Sequence, residues 1–194
     1  MKISRKGREL KSRRIERFIR EHAAWIRALS KKYGIPSAAV CAVMHKEMQE
    51  TDLFDTLADA AVQTRLLPKK DSSTGPMQIF GKVALRAVNF GVSRHLTTLR
   101  ELGITAAYPL DENSDKDVYT VWEKLNRDVH FNMEAGVLNL LCCAEEMTGR
   151  IDFASYGAEE WMLVFTRYNQ NTHHITPYGE DVYLLYLKYG REPI

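Results

Sequence analysis

The feature that most constrains this chain is the helical spacing of its apolar residues. Ile15, Phe18, Ile19, His22, Ile26, Leu29 and Tyr33 form one long stripe, closed by Gly34 and Pro36. A second helix is expected from Ser37, a residue type that caps helices, to about Gln49. Further helices are expected over Gly81 to Asn89, Arg94 to Leu102, Asn132 to Met147, 158–168 and 178–189. In the Asn132 helix, Met133, Val137, Leu140, Leu141 and Ala144 share one face. Residues 50–75 read as mostly irregular, and Pro109 to Asp117 as the most loop-like stretch. Strand alternation is sustained nowhere. The expected fold is mainly α, with little or no β-sheet and no internal repeat.

One position breaks the pattern. Val40, Val43 and Met44 fall at i, i+3 and i+4 of the second helix, and i+7 is Glu47. An apolar residue belongs there. A carboxylate on the core side loses hydration, which disfavours its charged form and raises its pKa. Such an acid can stay protonated near neutrality and protonate a poor leaving group such as a glycosidic oxygen. The bland reading is a carboxylate snorkelling to solvent or paired with Lys46 or His45, and on periodicity alone it is the commoner outcome.

At 194 residues and 45% hydrophobic content, the chain can bury a core and is neither disordered nor fibrous. Its net charge of +2 names no partner. The charge is uneven, however: Lys2, Arg5, Lys6, Arg8, Lys11, Arg13 and Arg14 crowd the start, opposed there by Glu9 alone. Residues 1–35 are therefore read as a basic N-terminal helix packed on or preceding a domain spanning 36–194. The default reading of the basic run is a solvated helix face. The other is a tether to an anionic polymer, with single-stranded nucleic acid disfavoured because no aromatics interleave the charges.

Cys41, Cys142 and Cys143 are odd in number, and two are adjacent, so they read as buried thiols rather than a disulfide framework. No Cys/His spacing suggests a metal site, and no cofactor motif is present. No apolar run reaches the ~20 residues that span a bilayer. The basic N-terminus leads into no signal-type apolar segment, since Glu16, Arg17 and Arg20 interrupt it. The expectation is a protein made in the cytoplasm, or one exported with its signal removed.

Two further fragments bear on Glu47. Gly75-Pro76-Met77-Gln78 fits a substrate-facing turn. Glycine allows close backbone approach, Met77 offers an adaptable apolar wall, and Gln78 offers a donor and an acceptor to a sugar. Arg167-Tyr168-Asn169 ends an apolar helix where polar tips can emerge into a cleft. Alone, each is more simply a turn or a helix end.

In this order, with Asn132-Met133, Ala135-Gly136 and Tyr178, the fragments resemble the lysozyme-like superfamily: lytic transglycosylases and goose-type lysozymes. The resemblance covers about Pro36 to Tyr189. It implies a lysozyme-like helical domain with a substrate cleft, acting as a monomer on the peptidoglycan glycan strand. No nucleic-acid partner is implied. Glu47 would be the catalytic acid and Tyr168 would orient it. Gly75, Met77, Gln78, Asn169 and Tyr178 would line the glycan subsites. Met48, Pro76 and Arg167 stand where relatives carry Ser, Leu and Ala.

The resemblance implies cleavage of the bond between N-acetylmuramic acid and N-acetylglucosamine by a single Glu, giving a 1,6-anhydro product. The alternative is a hydrolytic muramidase with a second carboxylate about 6.5–9.5 Å away in an inverting enzyme. Candidates are Asp71, Asp52 and Asp55, with Glu50 and Asp59 behind them. A second alternative is a glycan-binding protein of the same fold that has lost turnover. Action at the wall after phage-type release accommodates the missing export signal.

Overall fold

The protein is described from a computed structural model, over residues 5–50, 71–192 and 194. In chain order its elements are α1 (Arg5–Glu21), α2 (Ala23–Tyr33), α3 (Ser37–Glu50), β1 (Ser73–Thr74), β2 (Ile79–Phe80), α4 (Gly81–Ser93), α5 (Asp115–Arg127), α6 (Val129–Thr148), a 3-10 turn (Phe153–Ser155), α7 (Ala158–Asn169) and α8 (Pro177–Arg191). The fold is mainly α, and the sheet among these residues is one two-stranded antiparallel hairpin. No described helix is long and apolar enough to cross a membrane. The chain divides into two compact units, Met1–Glu50 with Asp152–Ile194, and Thr51–Ile151. Residue 35, expected as a boundary, lies inside the first unit, where α1 and α2 both contact α3.

In the first unit α3 is the central helix. It contacts α1, α2 and α8, and Ala39 through His45 are buried without interruption. The long stripe before it is broken at His22, whose ring Nδ1 lies 2.9 Å from the Phe18 carbonyl oxygen. Ile15, Ile19, Ile26 and Leu29 nonetheless all reach the core. Gly34 closes α2 in the left-handed conformation, φ 68°. Ser37 is the first residue of α3 rather than its cap. Cys41 is buried, and that burial pushes its thiol pKa up to about 12, so it packs as a small apolar group.

In the second unit α4, α5 and α6 pack on one another, with the hairpin against them. Met133, Val137, Leu140, Leu141 and Ala144 of α6 are buried as their spacing requires. Arg94 to Leu102, expected to be helical, forms turns instead. There Thr98 Oγ1 accepts from the Glu101 amide (3.1 Å) and Thr97 Oγ1 donates to Glu101 (3.0 Å), so hydroxyls compete for helix-forming partners. Helix α5 begins inside the Pro109 to Asp117 stretch read as loop and continues over 118–127, where no helix is expected. Ser114 caps it by accepting from the Asp117 amide, and Val118, Val121, Trp122 and Leu125 bury its inner face.

Candidate active site

Glu47 is buried in the last turn of α3, only 6% exposed. The Tyr178 hydroxyl, at the start of α8, donates to its Oε1. Burial is the largest influence and pushes the Glu47 carboxyl up to about 7. The Tyr178 bond opposes that shift, the Glu50 charge adds to it, and Lys46 and the Asn169 side chain oppose it again. Tyr178 itself is held well above the ordinary phenol range, first by burial and then by the Glu47 charge. It is therefore a hydrogen-bond donor at any physiological pH.

The start of α8 is anchored so that this phenol meets the acid. Thr166 Oγ1 of α7 accepts from the Thr176 amide at 3.1 Å. Gly179 lies so close to α7 that a Cβ would stand 2.1 Å from Thr166 Oγ1 and 2.4 Å from the Met162 carbonyl oxygen. Only glycine fits there. Lys46 ties α3 to α8 beside the pair. Its Nζ is 2.7 Å from Asp181 and 2.9 Å from Glu50, and 5.6 Å from the Tyr178 ring centroid. Burial works against the Lys46 charge, but Asp181 and Glu50 outweigh it and raise its pKa.

Tyr168 and Asn169 end α7, half-buried and exposed respectively. Tyr178, which the resemblance places among the sugar-lining residues, donates from its phenol to Glu47, and Tyr168 lies close enough to raise the Tyr178 pKa. Lys46 enters the sequence reading as a pairing partner of Glu47, whereas Asp181 escapes it. The signal for Asp181 is the Tyr178-x-x-Asp181 spacing, which sets both side chains on one face of α8.

Gly75, Met77, Gln78 and Asp71 lie in the second unit. The hairpin turn needs Gly75 at φ 70°, and a Cβ there would sit 2.2 Å from Asn132 Nδ2. Fully buried Asn132 clamps the turn: Oδ1 accepts from the Met77 amide (3.0 Å) and Nδ2 donates to the Thr74 carbonyl (2.9 Å). Met77 is 0% exposed and packs against Gly136, so its side chain is core and not the wall of a cleft. Gln78 folds back on its own turn. Its Nε2 donates to the Gly75 carbonyl (2.9 Å) and its Oε1 accepts from Ser73 (3.2 Å).

Asp71 does not have the free carboxylate a water-positioning base needs. Its two oxygens accept from the Gly81 and Lys82 amides at 2.6 and 3.0 Å, capping α4. Burial raises its pKa, against the pull of those amides. Glu50 is exposed and ion-paired to Lys46. Asp52, Asp55 and Asp59 lie outside the described residues. No group of three or more His, Cys, Asp or Glu side chains among the described residues is placed to hold a metal ion. His45, two residues from Glu47, has its Nδ1 2.7 Å from the Tyr189 hydroxyl. Burial lowers its pKa, as does the Lys188 charge.

The chain matches no protein-family model, no curated protein and no solved structure.

Proposed function

We propose that this protein cleaves the N-acetylmuramic acid to N-acetylglucosamine bond of peptidoglycan as a lytic transglycosylase, with Glu47 as its general acid and base. The observation that carries the reading is Glu47 itself: buried, held near pKa 7 and hydrogen-bonded by Tyr178. The ordered motifs from Glu47 to Tyr178 support the choice of glycan as substrate.

In this mechanism protonated Glu47 donates to the glycosidic oxygen as the C1–O bond breaks. The resulting carboxylate is stabilised by the Tyr178 hydroxyl, whose bond strengthens as charge develops on the acceptor. Glu47 then takes the proton of the muramoyl 6-hydroxyl while that oxygen bonds to C1. The acid is restored and a 1,6-anhydro sugar released. Attack from within the same ring replaces an activated water, so one carboxylate suffices. Of the second carboxylates that hydrolysis would need, Asp71 is engaged in capping α4.

Digestion of purified peptidoglycan followed by mass spectrometry tests the reading. Wild type should release fragments one water lighter than hydrolytic products, and Glu47→Gln should release none. Hydrolytic masses would make the protein a muramidase. Binding of glycan without new chain ends from wild type would make it a glycan-binding protein.

A further inference from the structure

The two N-terminal helices carry a charge far from that of the rest of the chain. Residues 1–34 hold twelve Lys and Arg against three Glu, net +9, so the overall +2 leaves residues 35–194 at net −7. This polarity serves no purpose in the chemistry of Glu47. It also costs stability through self-repulsion within the two helices.

Structure gives the charge a direction. Ile15 and Ile19 turn one side of α1 into the core, and Arg13, Arg17 and Arg20 lie on the opposite, exposed side. Their i, i+4, i+7 spacing places them about 4.5–6 Å apart along the helix axis. Arg27 and Lys31 continue an exposed cationic face on α2, opposite buried Ile26 and Leu29. Among the described residues, Arg17 approaches Glu21 only to 3.8 Å with both side chains largely exposed, and Glu16, which also faces Arg20, is bonded first to Lys188.

We infer that the exposed faces of α1 and α2 are a docking surface for a phosphodiester polyanion, specifically a polyol-phosphate polymer carried on the glycan. The stripe is mainly arginine, whose planar fork suits phosphate oxygens. Its apolar side is already spent on α3, leaving no set of anchors to enter a bilayer. Phe18, the one aromatic side chain among these arginines, is half-buried and lies against the His22 ring, centroids 4.2 Å apart, rather than standing out to stack on a nucleobase. The negative remainder of the chain repels the same polymer, confining contact to this face. Placing the polymer on the glycan rests on the proposed function; the phosphate chemistry of the surface does not.

The test is co-sedimentation of the full chain carrying Glu47→Gln, so that turnover does not remove the support. The probes are peptidoglycan bearing poly(glycerol phosphate), the same peptidoglycan stripped with hydrofluoric acid, duplex DNA, and phosphatidylglycerol vesicles. Stripping should weaken binding about tenfold or more, as should raising salt from about 50 to 200 mM. Combined Arg13→Glu, Arg17→Glu and Arg20→Glu should do the same, with helix content unchanged by circular dichroism. The triple Gln variant serves if the Glu variant unfolds. The triple Lys variant should keep most of the binding.

Equal binding to stripped peptidoglycan, insensitivity to charge reversal, or tighter binding to DNA or vesicles at equal phosphate would each overturn the inference. Cleavage of soluble glycan by wild type is a separate readout. Its absence alongside salt-sensitive polymer binding would remove the proposed function and leave this surface standing.

Discussion

The Tyr178 hydroxyl donates to Glu47 Oε1 across 131 positions of sequence, joining the end of α3 to the start of α8. Burial drives the Glu47 proton affinity up and this bond holds it down, with the balance near neutrality. A group so poised exchanges protons in both directions at physiological pH.

Removing the phenol should shift that balance. In Tyr178→Phe the burial of Glu47 is left less opposed, so its pKa rises. Loss of a hydrogen bond to a charged group corresponds to about one pKa unit or more. The alkaline limb of the pH–rate profile should move upward while the fold, checked by circular dichroism, stays intact. An unmoved limb would mean that Tyr178 does not tune the acid.

Glu47 should also cost the protein stability at alkaline pH. Its folded pKa of about 7 exceeds the ordinary 4.5, so the folded state binds the proton more tightly. Stability from this group is greatest below about 4.5 and falls as pH rises through 7. Glu47→Gln should therefore stabilise by up to about 3 kcal/mol near pH 8 and by little near pH 4. Urea denaturation at both pH values measures it, and a pH-independent difference would contradict the burial argument.

Lys46 separates charge from packing. Lys46→Met leaves Glu50 and Asp181 without their shared cation and removes a positive charge that favours ionised Glu47. The Glu47 pKa should rise and the alkaline limb with it, whereas Lys46→Arg should restore the profile. Matching profiles for the Met and Arg variants would assign Lys46 a packing role only.

In the second unit, Asn132→Ala should remove two buried bonds, to the Met77 amide and to the Thr74 carbonyl, and leave a cavity at the turn. A loss of about 3 kcal/mol or more is expected. Gly75→Ala adds a side chain at φ 70° and directly into Asn132, and should cost about 2 kcal/mol or more. Thermal denaturation of both variants checks this, and wild-type stability in either would show that the turn is not clamped as described.

Sequence alone determined the helical class, the burial of the α6 face and the anomaly at Glu47, because each follows from a period of 3.6 residues within one helix. Helix α5 was legible too, through Ser114 and the Val118, Val121, Trp122 and Leu125 spacing, but the polar run before it drew the reading toward a loop. Tertiary structure decided the rest. That Tyr178 meets Glu47 depends on how closely α7 and α8 approach, and that is set by Gly179 against Thr166. Whether Met77 lines a cleft or fills a core depends on the space beside Gly136. Whether Asp71 is a spare base or a helix cap depends on the amides of Gly81 and Lys82, ten and eleven residues away. Local spacing specifies which face a side chain occupies, and only packing specifies what stands opposite it.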